Sequence, residues 1–188
     1  MSVRFPVHSL SRAAALLALY GLPSVAWAAP YSAAGGTVSF DYRVTFVGVH
    51  GTSGDLSAEV DYAPGGLPSA SGTVSIRAAS LKTGNGLQED HMRGAMGADK
   101  FPNIVFALTG VNSDTMLAEG QTLATTGNGK LTLKGVSRVL SVPLKLTMNA
   151  GKIPVATQFK FNPYDYGVSY FGGADSIAIN VGFVLSPR

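Results

Sequence analysis

The sequence has 188 residues, 46% hydrophobic and 13% charged, and contains no cysteine. The charged fraction is about half the roughly 25% of an ordinary soluble domain, which excludes a highly charged disordered chain. Zero cysteines exclude disulfides, thiol nucleophiles and thiolate metal sites. The formal charge of +3 falls to +1 (12 basic against 11 acidic residues) once Arg4 and Arg12 are set aside with the N-terminal segment. Nothing in that balance is a footprint for nucleic acid, which would need clustered Lys and Arg.

Arg4, His8 and Arg12 make a weakly basic start, and Ala13 to Leu22 is an apolar run. Pro23 and Ser24 break it, and Ala26-Trp27-Ala28 supplies the small-x-small pattern of a cleavage site. The run is about half the roughly 20 residues a bilayer core requires, so it reads as a signal peptide rather than an anchor. Residues 1–28 are expected to be cleaved, leaving 29–188 as a single domain that is periplasmic or secreted.

From Thr37 onward the chain reads as strand after strand. Val38, Phe40, Tyr42, Val44 and Phe46 alternate with polar residues, a period of two that no helix sustains. Leu56, Ala58, Val60 and Tyr62 repeat the pattern, as do Val74, Ile76 and Ala78. Ile104, Phe106 and Leu108 follow, then a less regular stretch. Asn128-Gly129 is the favoured type I′ hairpin pair, with Leu131 and Leu133 alternating beyond it. Leu140, Val142, Leu144 and Leu146 form another strand, in which Pro143 points to an edge or a bulge. Val155, Thr157, Phe159 and Phe161 come next, and Ile177, Ile179, Val181, Phe183 and Leu185 close the chain.

Gln88 to Lys100 interrupts the strands. Met92 and Met96 at i, i+4 suit a short helix with one apolar side, which Gly94 and Gly97 weaken. The whole predicts an all-β domain of eight or nine strands with one helical insert, closed into a barrel or stacked as a sandwich. Its inward set holds no Asp, Glu, Lys, Arg or His, so whatever it encloses is apolar. Alternation leaves open whether that interior is filled or hollow.

Catalytic patterns are weak. Only His50, in a glycine-rich loop, and His91 remain after processing, too few for a zinc site of three or four ligands. There is no G-x-S-x-G elbow, and Gly84-Asn85-Gly86 does not complete a dinucleotide-binding fingerprint. No enzymatic activity and no metal are expected.

Several segments, in order, resemble the YceI-like family of exported polyisoprenoid-binding proteins. Leu81 to Arg93 (LKTGNGLQEDHMR) is similar to its Thr-Gly-Asn stretch followed by an acidic residue, His, an apolar residue and a base. Lys100 to Phe106 (KFPNIVF) resembles its strand entry, and Gly129 to Leu144 (GKLTLKGVSRVLSVPL) its Gly-x-Leu-Thr strand pair. Asp165-Tyr166-Gly167 and Ala174 to Val181 (ADSIAINV) are similar to its closing segment. The resemblance spans about residues 36–186.

It implies an extended eight-stranded antiparallel barrel, similar to lipocalins, with one short helical insert and a lumen that holds a long isoprenoid or similar lipid, of quinone or prenyl pyrophosphate type, for storage or transport. On that reading the lumen is lined by Phe40, Tyr42, Val44, Phe46, Val60, Ile76, Phe106 and Leu108 from the first half of the chain. Leu133, Val142, Leu144, Phe159, Phe161, Ile179 and Phe183 complete it, with the insert contributing Met92, Met96 and Phe101 as a lid. His91, Arg93 and Lys100 are head-group candidates, against the plainer reading that they solvate an exposed helix. Where the family often carries Arg-Asp, this sequence has Gln88-Glu89, and an arginine common before the Asp-aromatic-Gly turn is Pro163. Missing guanidinium groups favour a neutral head, such as a quinone, over a pyrophosphate. The expected partner is a bound lipid or isoprenoid quinone and no nucleic acid. A membrane or membrane-redox partner and the oligomeric state stay open. The alternative function is a structural or interaction β-domain with a packed core and no ligand.

Overall fold

A computed structural model describes residues 29–62 and 66–188, so the expected signal peptide lies outside the described residues. Four strands open the fold: β1 (Ala29–Ala34), β2 (Thr37–Val44), β3 (Val47–Ser53) and β4 (Leu56–Tyr62). β1 pairs with β4 and β2 with β3, in one unbroken register running from Ala29↔Tyr62 to Val44↔Val47. The four segments are thus the two arms of a single long hairpin, each bent once, at Gly35-Gly36 on one arm and at Gly54 on the other. Gly35 has φ 104°, a conformation open chiefly to glycine.

The remaining strands follow as a meander: β5 (Ser71–Arg77), helix α1 (Gly86–Met96), β6 (Asn103–Val111), β7 (Thr122–Leu133), β8 (Val136–Thr147), β9 (Ile153–Phe161) and β10 (Ile177–Pro187). β10 pairs with β9 on one side and with both β2 and β1 on the other, which closes the sheet. Counting the two bent arms once each, the result is a closed antiparallel barrel of eight strands with one α-helix. Closure removes the free edges that an open sheet would leave to mispair.

Alternation decides which face looks inward. On β4, Leu56, Ala58 and Val60 are buried while Ser57, Glu59 and Asp61 lie outside. The polar exterior and apolar interior are the reverse of a membrane-spanning barrel, whose outer band is apolar. Two buried clusters stack along the axis. One gathers Tyr31, Leu67, Val111, Leu117, Ile153 and Leu185 at the end away from α1. The other gathers Phe40, Leu81, Met96, Leu131, Leu133 and Tyr166 beneath the helix.

Three expectations are corrected. Asn128-Gly129 lies inside β7, not at a turn, and the β7–β8 turn is Lys134-Gly135, both at positive φ (52° and 77°) as a type I′ turn requires. Gly129 is there for room, because a Cβ would sit 2.6 Å from the Phe106 ring. His50 lies on β3 rather than in a loop, opposite Asp41 on the outer face, its Nδ1 2.8 Å from that carboxylate. Phe46 does not continue β2, because the pair Val44↔Val47 already closes the hairpin and leaves Thr45-Phe46 as its tip. Pro143 fits its reading as a local edge: it pairs with Thr126 on the β7 side, while the β9 ladder begins only at Lys145.

Candidate functional site

The barrel is hollow. Its axis is occupied by a cavity of about 580 Å³, within the roughly 300–1,000 Å³ of small-molecule sites. Inward-pointing Phe106, Phe159, Ile179, Val181 and Phe183 face this space and remain only half-buried. In a packed core such side chains would be sealed by neighbours, since interiors are filled to crystal-like density. The cavity wall contains no Asp, Glu, Lys or Arg among the described residues.

The cavity opens at one end. Of its lining residues, the solvent-exposed ones are Thr45, Val47, His91 and Tyr170. All four belong to the α1 end: the β2–β3 tip, the helix, and the loop that leads into β10. At the other end Tyr31 and Tyr62 meet edge to face with ring centroids 6.4 Å apart, and the Leu117 N–H donates to the Tyr62 hydroxyl at 3.3 Å. Leu67 and Leu117 are buried beside them.

Helix α1 is the cover. Asn85 caps it, its side-chain oxygen accepting from the N–H groups of Leu87 and Gln88, and Gly97 ends it in the left-handed conformation. Gln88, His91, Met92, Ala95 and Met96 line the cavity, the i, i+3, i+4, i+7, i+8 pattern of one helix face. Glu89, on the flank, ties the preceding loop down: it accepts from the Thr83 N–H at 3.0 Å, the Gly84 N–H at 3.2 Å and the Lys82 ammonium at 3.2 Å. The Thr83 N–H and Lys82 hold its carboxyl below the usual carboxylate range. Lys82 in turn exchanges two backbone hydrogen bonds of 2.8 Å with Thr52 of β3.

Sixteen of the eighteen expected lumen residues line the cavity: Phe40, Tyr42, Val44, Val60, Ile76, Met92, Met96, Phe106, Leu108, Leu133, Val142, Leu144, Phe159, Phe161, Ile179 and Phe183. Phe46 and Phe101 do not. Phe46, at the hairpin tip, is 97% exposed. Phe101 locks the helix exit instead, its ring against Gly97 and so close to Gly135 that a Cβ there would sit 2.5 Å away. Of the head-group candidates only His91 faces the cavity. Arg93 turns outward to Asp90 and Glu89, and Lys100 rests 5.4 Å from the Phe101 ring centroid, both on a shallow outer cleft. The reason is helical geometry: two positions past His91, Arg93 falls on the opposite side.

Gln88, Thr83 and Tyr170 were not anticipated at the site. Helical spacing from Met92 and Met96 would have found Gln88, whereas Tyr170 sits in a glycine-rich loop without periodicity. The Tyr170 hydroxyl lies 3.1 Å from His91 Nδ1 and joins loop to helix across the mouth.

A model of the YceI-like domain matches residues 31–185, the full circuit of the barrel. The chain belongs to the YceI-like family. Solved relatives share its fold. BcnA of Burkholderia cenocepacia is 22% identical, with 79% of this chain and 95% of that chain covered at a TM-score of 0.68. A polyisoprenoid-binding domain from Saccharophagus degradans, implicated in plant cell wall breakdown, is 16% identical, covering 86% and 99% at 0.71. The YceI protein of Campylobacter jejuni is 22% identical, covering 78% and 88% at 0.62. No curated protein matches this chain.

In this YceI-like barrel the polar groups that reach the lumen are few and largely neutral. Gln88, Thr83, His91 and Tyr170 stand at the mouth. Below them burial, with neighbouring Tyr164, pushes the Tyr42 phenol further above its ordinary value, and it stands as a neutral hydroxyl. Deeper still, the Thr157 hydroxyl is buried with no protein partner. Among the described residues no group of three or more His, Asp or Glu side chains could hold a metal ion. No helix of the described residues is long and apolar enough to cross a membrane. The arrangement suits an apolar chain along the axis with a hydrogen-bonding group at the open end.

Proposed function

We propose that this protein binds a long-chain isoprenoid or similar lipid in the barrel lumen and stores or carries it in the periplasm, without catalysing a reaction on it. The observation that carries this reading is the hollow, uncharged cavity of about 580 Å³ opening at one end. Each methylene moved from water into such a space contributes about 0.8 kcal/mol, so a ten-carbon stretch offsets several kcal/mol of ordering cost. Membership of the YceI-like family and the likeness to a polyisoprenoid-binding domain support the same ligand class. A ligand-free β-domain with a packed core does not account for the open space.

The head group we favour is neutral, of quinone type. Arg93 and Lys100, the cations of the helical insert, lie outside the lumen, and no Lys or Arg lines its wall among the described residues. Gln88, His91, Tyr42 and Tyr170 offer hydrogen bonds suited to a carbonyl oxygen. Export is inferred from the N-terminal pattern, with cleavage expected after Ala28.

The test is to purify the protein from an exporting host, extract it with organic solvent and identify the extract by mass spectrometry, then titrate the stripped protein with a prenyl quinone and a prenyl pyrophosphate of equal chain length. A co-purified isoprenoid and tighter quinone binding are expected. Tighter pyrophosphate binding overturns the neutral head, and an intact protein mass beginning at Met1 overturns the export.

A further inference from the structure

Phe46 and Phe171 are each 97% exposed, a setting large aromatic side chains seldom occupy alone. They sit on two different loops that the backbone fastens together. The Thr45 N–H donates to the Gly172 carbonyl at 2.6 Å, the Ala174 N–H donates to the Arg43 carbonyl at 2.8 Å, and Val44 bridges Gly173. Thr45 holds φ 53°, an uncommon conformation for a β-branched residue, and so places Phe46 at the apex. Their neighbours Thr45, Val47 and Tyr170 line the cavity and are themselves exposed. Leu87, one turn before His91 on the same side of α1, adds a further exposed apolar group.

We propose that this rim is a membrane-docking tip: Phe46 and Phe171, with Val47, Tyr170 and Leu87 around them, enter the interface of a lipid bilayer so that the bound lipid passes between bilayer and lumen without crossing water. The inference rests on the lipid-binding reading of the cavity. Two fully exposed phenylalanines present roughly 300–500 Å² of apolar surface, as large as the biggest patch on an ordinary monomer. The segments that carry the two phenylalanines, residues 44–49 (VTFVGV) and 168–174 (VSYFGGA), contain no charged side chain, so insertion confined to these two loops, short of the flanking Arg43 and Asp175, desolvates no ion. Two backbone hydrogen bonds between the loops, and one from the Gly173 N–H to the Tyr170 carbonyl, leave fewer backbone groups to desolvate on shallow insertion. The apolar rim is continuous with the only solvent-exposed part of the lumen wall among the described residues, the one place where an insoluble cargo can enter. A protein partner would more naturally meet a pocket framed by polar residues than two uncharged protruding loops.

The experiment is co-sedimentation with neutral phosphatidylcholine vesicles, repeated at high salt, for the wild type, for F46S/F171S, and for Val139→Ser. Val139 is 82% exposed on β8, outside both loops, and serves as the control. Affinity for a prenyl quinone delivered from cyclodextrin is measured in parallel. The expected result is salt-insensitive binding of wild type and the Val139→Ser control, an at least about tenfold loss in the double variant, and unchanged quinone affinity in all three. Absence of vesicle binding by the wild type overturns the docking tip, as does equal binding by the double variant. Self-association of the wild type without vesicle binding, lost in the double variant, overturns it in favour of an interface between copies. If quinone fails to bind the wild type, the lumen reading falls, whatever the vesicles show.

Discussion

The mouth beside α1 and the far end of the barrel are built from the same alternating strands but finished in different ways. At the far end Tyr31, Leu67, Leu117, Ile153 and Leu185 are all buried and close on one another. At the mouth the lining residues Thr45, Val47, His91 and Tyr170 are exposed, and the cover is a three-turn helix with Gly86 at its start and Gly94 in its last turn, each costly to helix stability. Substitutions at the far end should therefore act on stability, and substitutions at the mouth on ligand exchange.

The largest effect belongs to the wall that both ends share. Val142→Asp places an unpaired charge at a 3% exposed position and is expected to cost about 4 kcal/mol or more, read as a fall in the urea midpoint. Ser57→Asp, on the outer face of β4, is expected to cost less than about 1 kcal/mol. Met148→Ala at the far end, buried there but not on the cavity wall, should cost about 2–4 kcal/mol and leave lipid affinity nearly unchanged. Met92→Asp at the mouth should cost little stability, since Met92 is only partly buried, yet weaken prenyl quinone binding at least about tenfold. If the two swap their effects, the assignment of sealed and open ends is reversed.

A smaller effect is expected at the turn that seats the helix exit. Gly135→Ala meets both a φ of 77° and the Phe101 ring, and should cost about 1–2 kcal/mol in thermal unfolding. The smallest is a pH effect. Because the Thr83 N–H and Lys82 lower the Glu89 pKa from 4.5 in the folded state, its contribution is complete above that value and is lost as pH falls through the lowered one. Glu89→Gln should flatten the acid limb of the stability profile below about pH 4.5 while leaving the neutral region parallel to wild type. An acid limb identical to wild type would show that Glu89 does not anchor the loop.

The contrast between the ends also marks what could be read from the residues. Alternation located the inward face of β2, β4, β8, β9 and β10, because a half-buried strand must repeat every two residues. It failed where glycine serves a neighbour. Val47–Ser53 reads as a loop with Gly48 and Gly51, yet it forms β3, and Gly51 is needed because a Cβ would lie 2.2 Å from the Phe40 ring. The same ambiguity made Asn128-Gly129 look like a turn. Met92 and Met96 were legible from helical spacing. Phe46 and Tyr170 were not, since their positions depend on the pairing of two loops more than 120 residues apart. Hollowness was out of reach altogether, because the same apolar pattern writes a filled core.

Filling the hollow tests whether it is the binding site. Val181 lies on the lumen wall in mid-barrel, opposite Thr157 and Val38 on its neighbouring strands. Val181→Trp puts an indole into the open space instead of into packed neighbours. The direct measurement is the prenyl quinone affinity of this variant beside wild type, with both melting temperatures recorded. A binding site in the lumen predicts saturable binding by wild type, weakened at least about tenfold in the variant, at a melting temperature close to wild type. Equal affinity in the two proteins would contradict it.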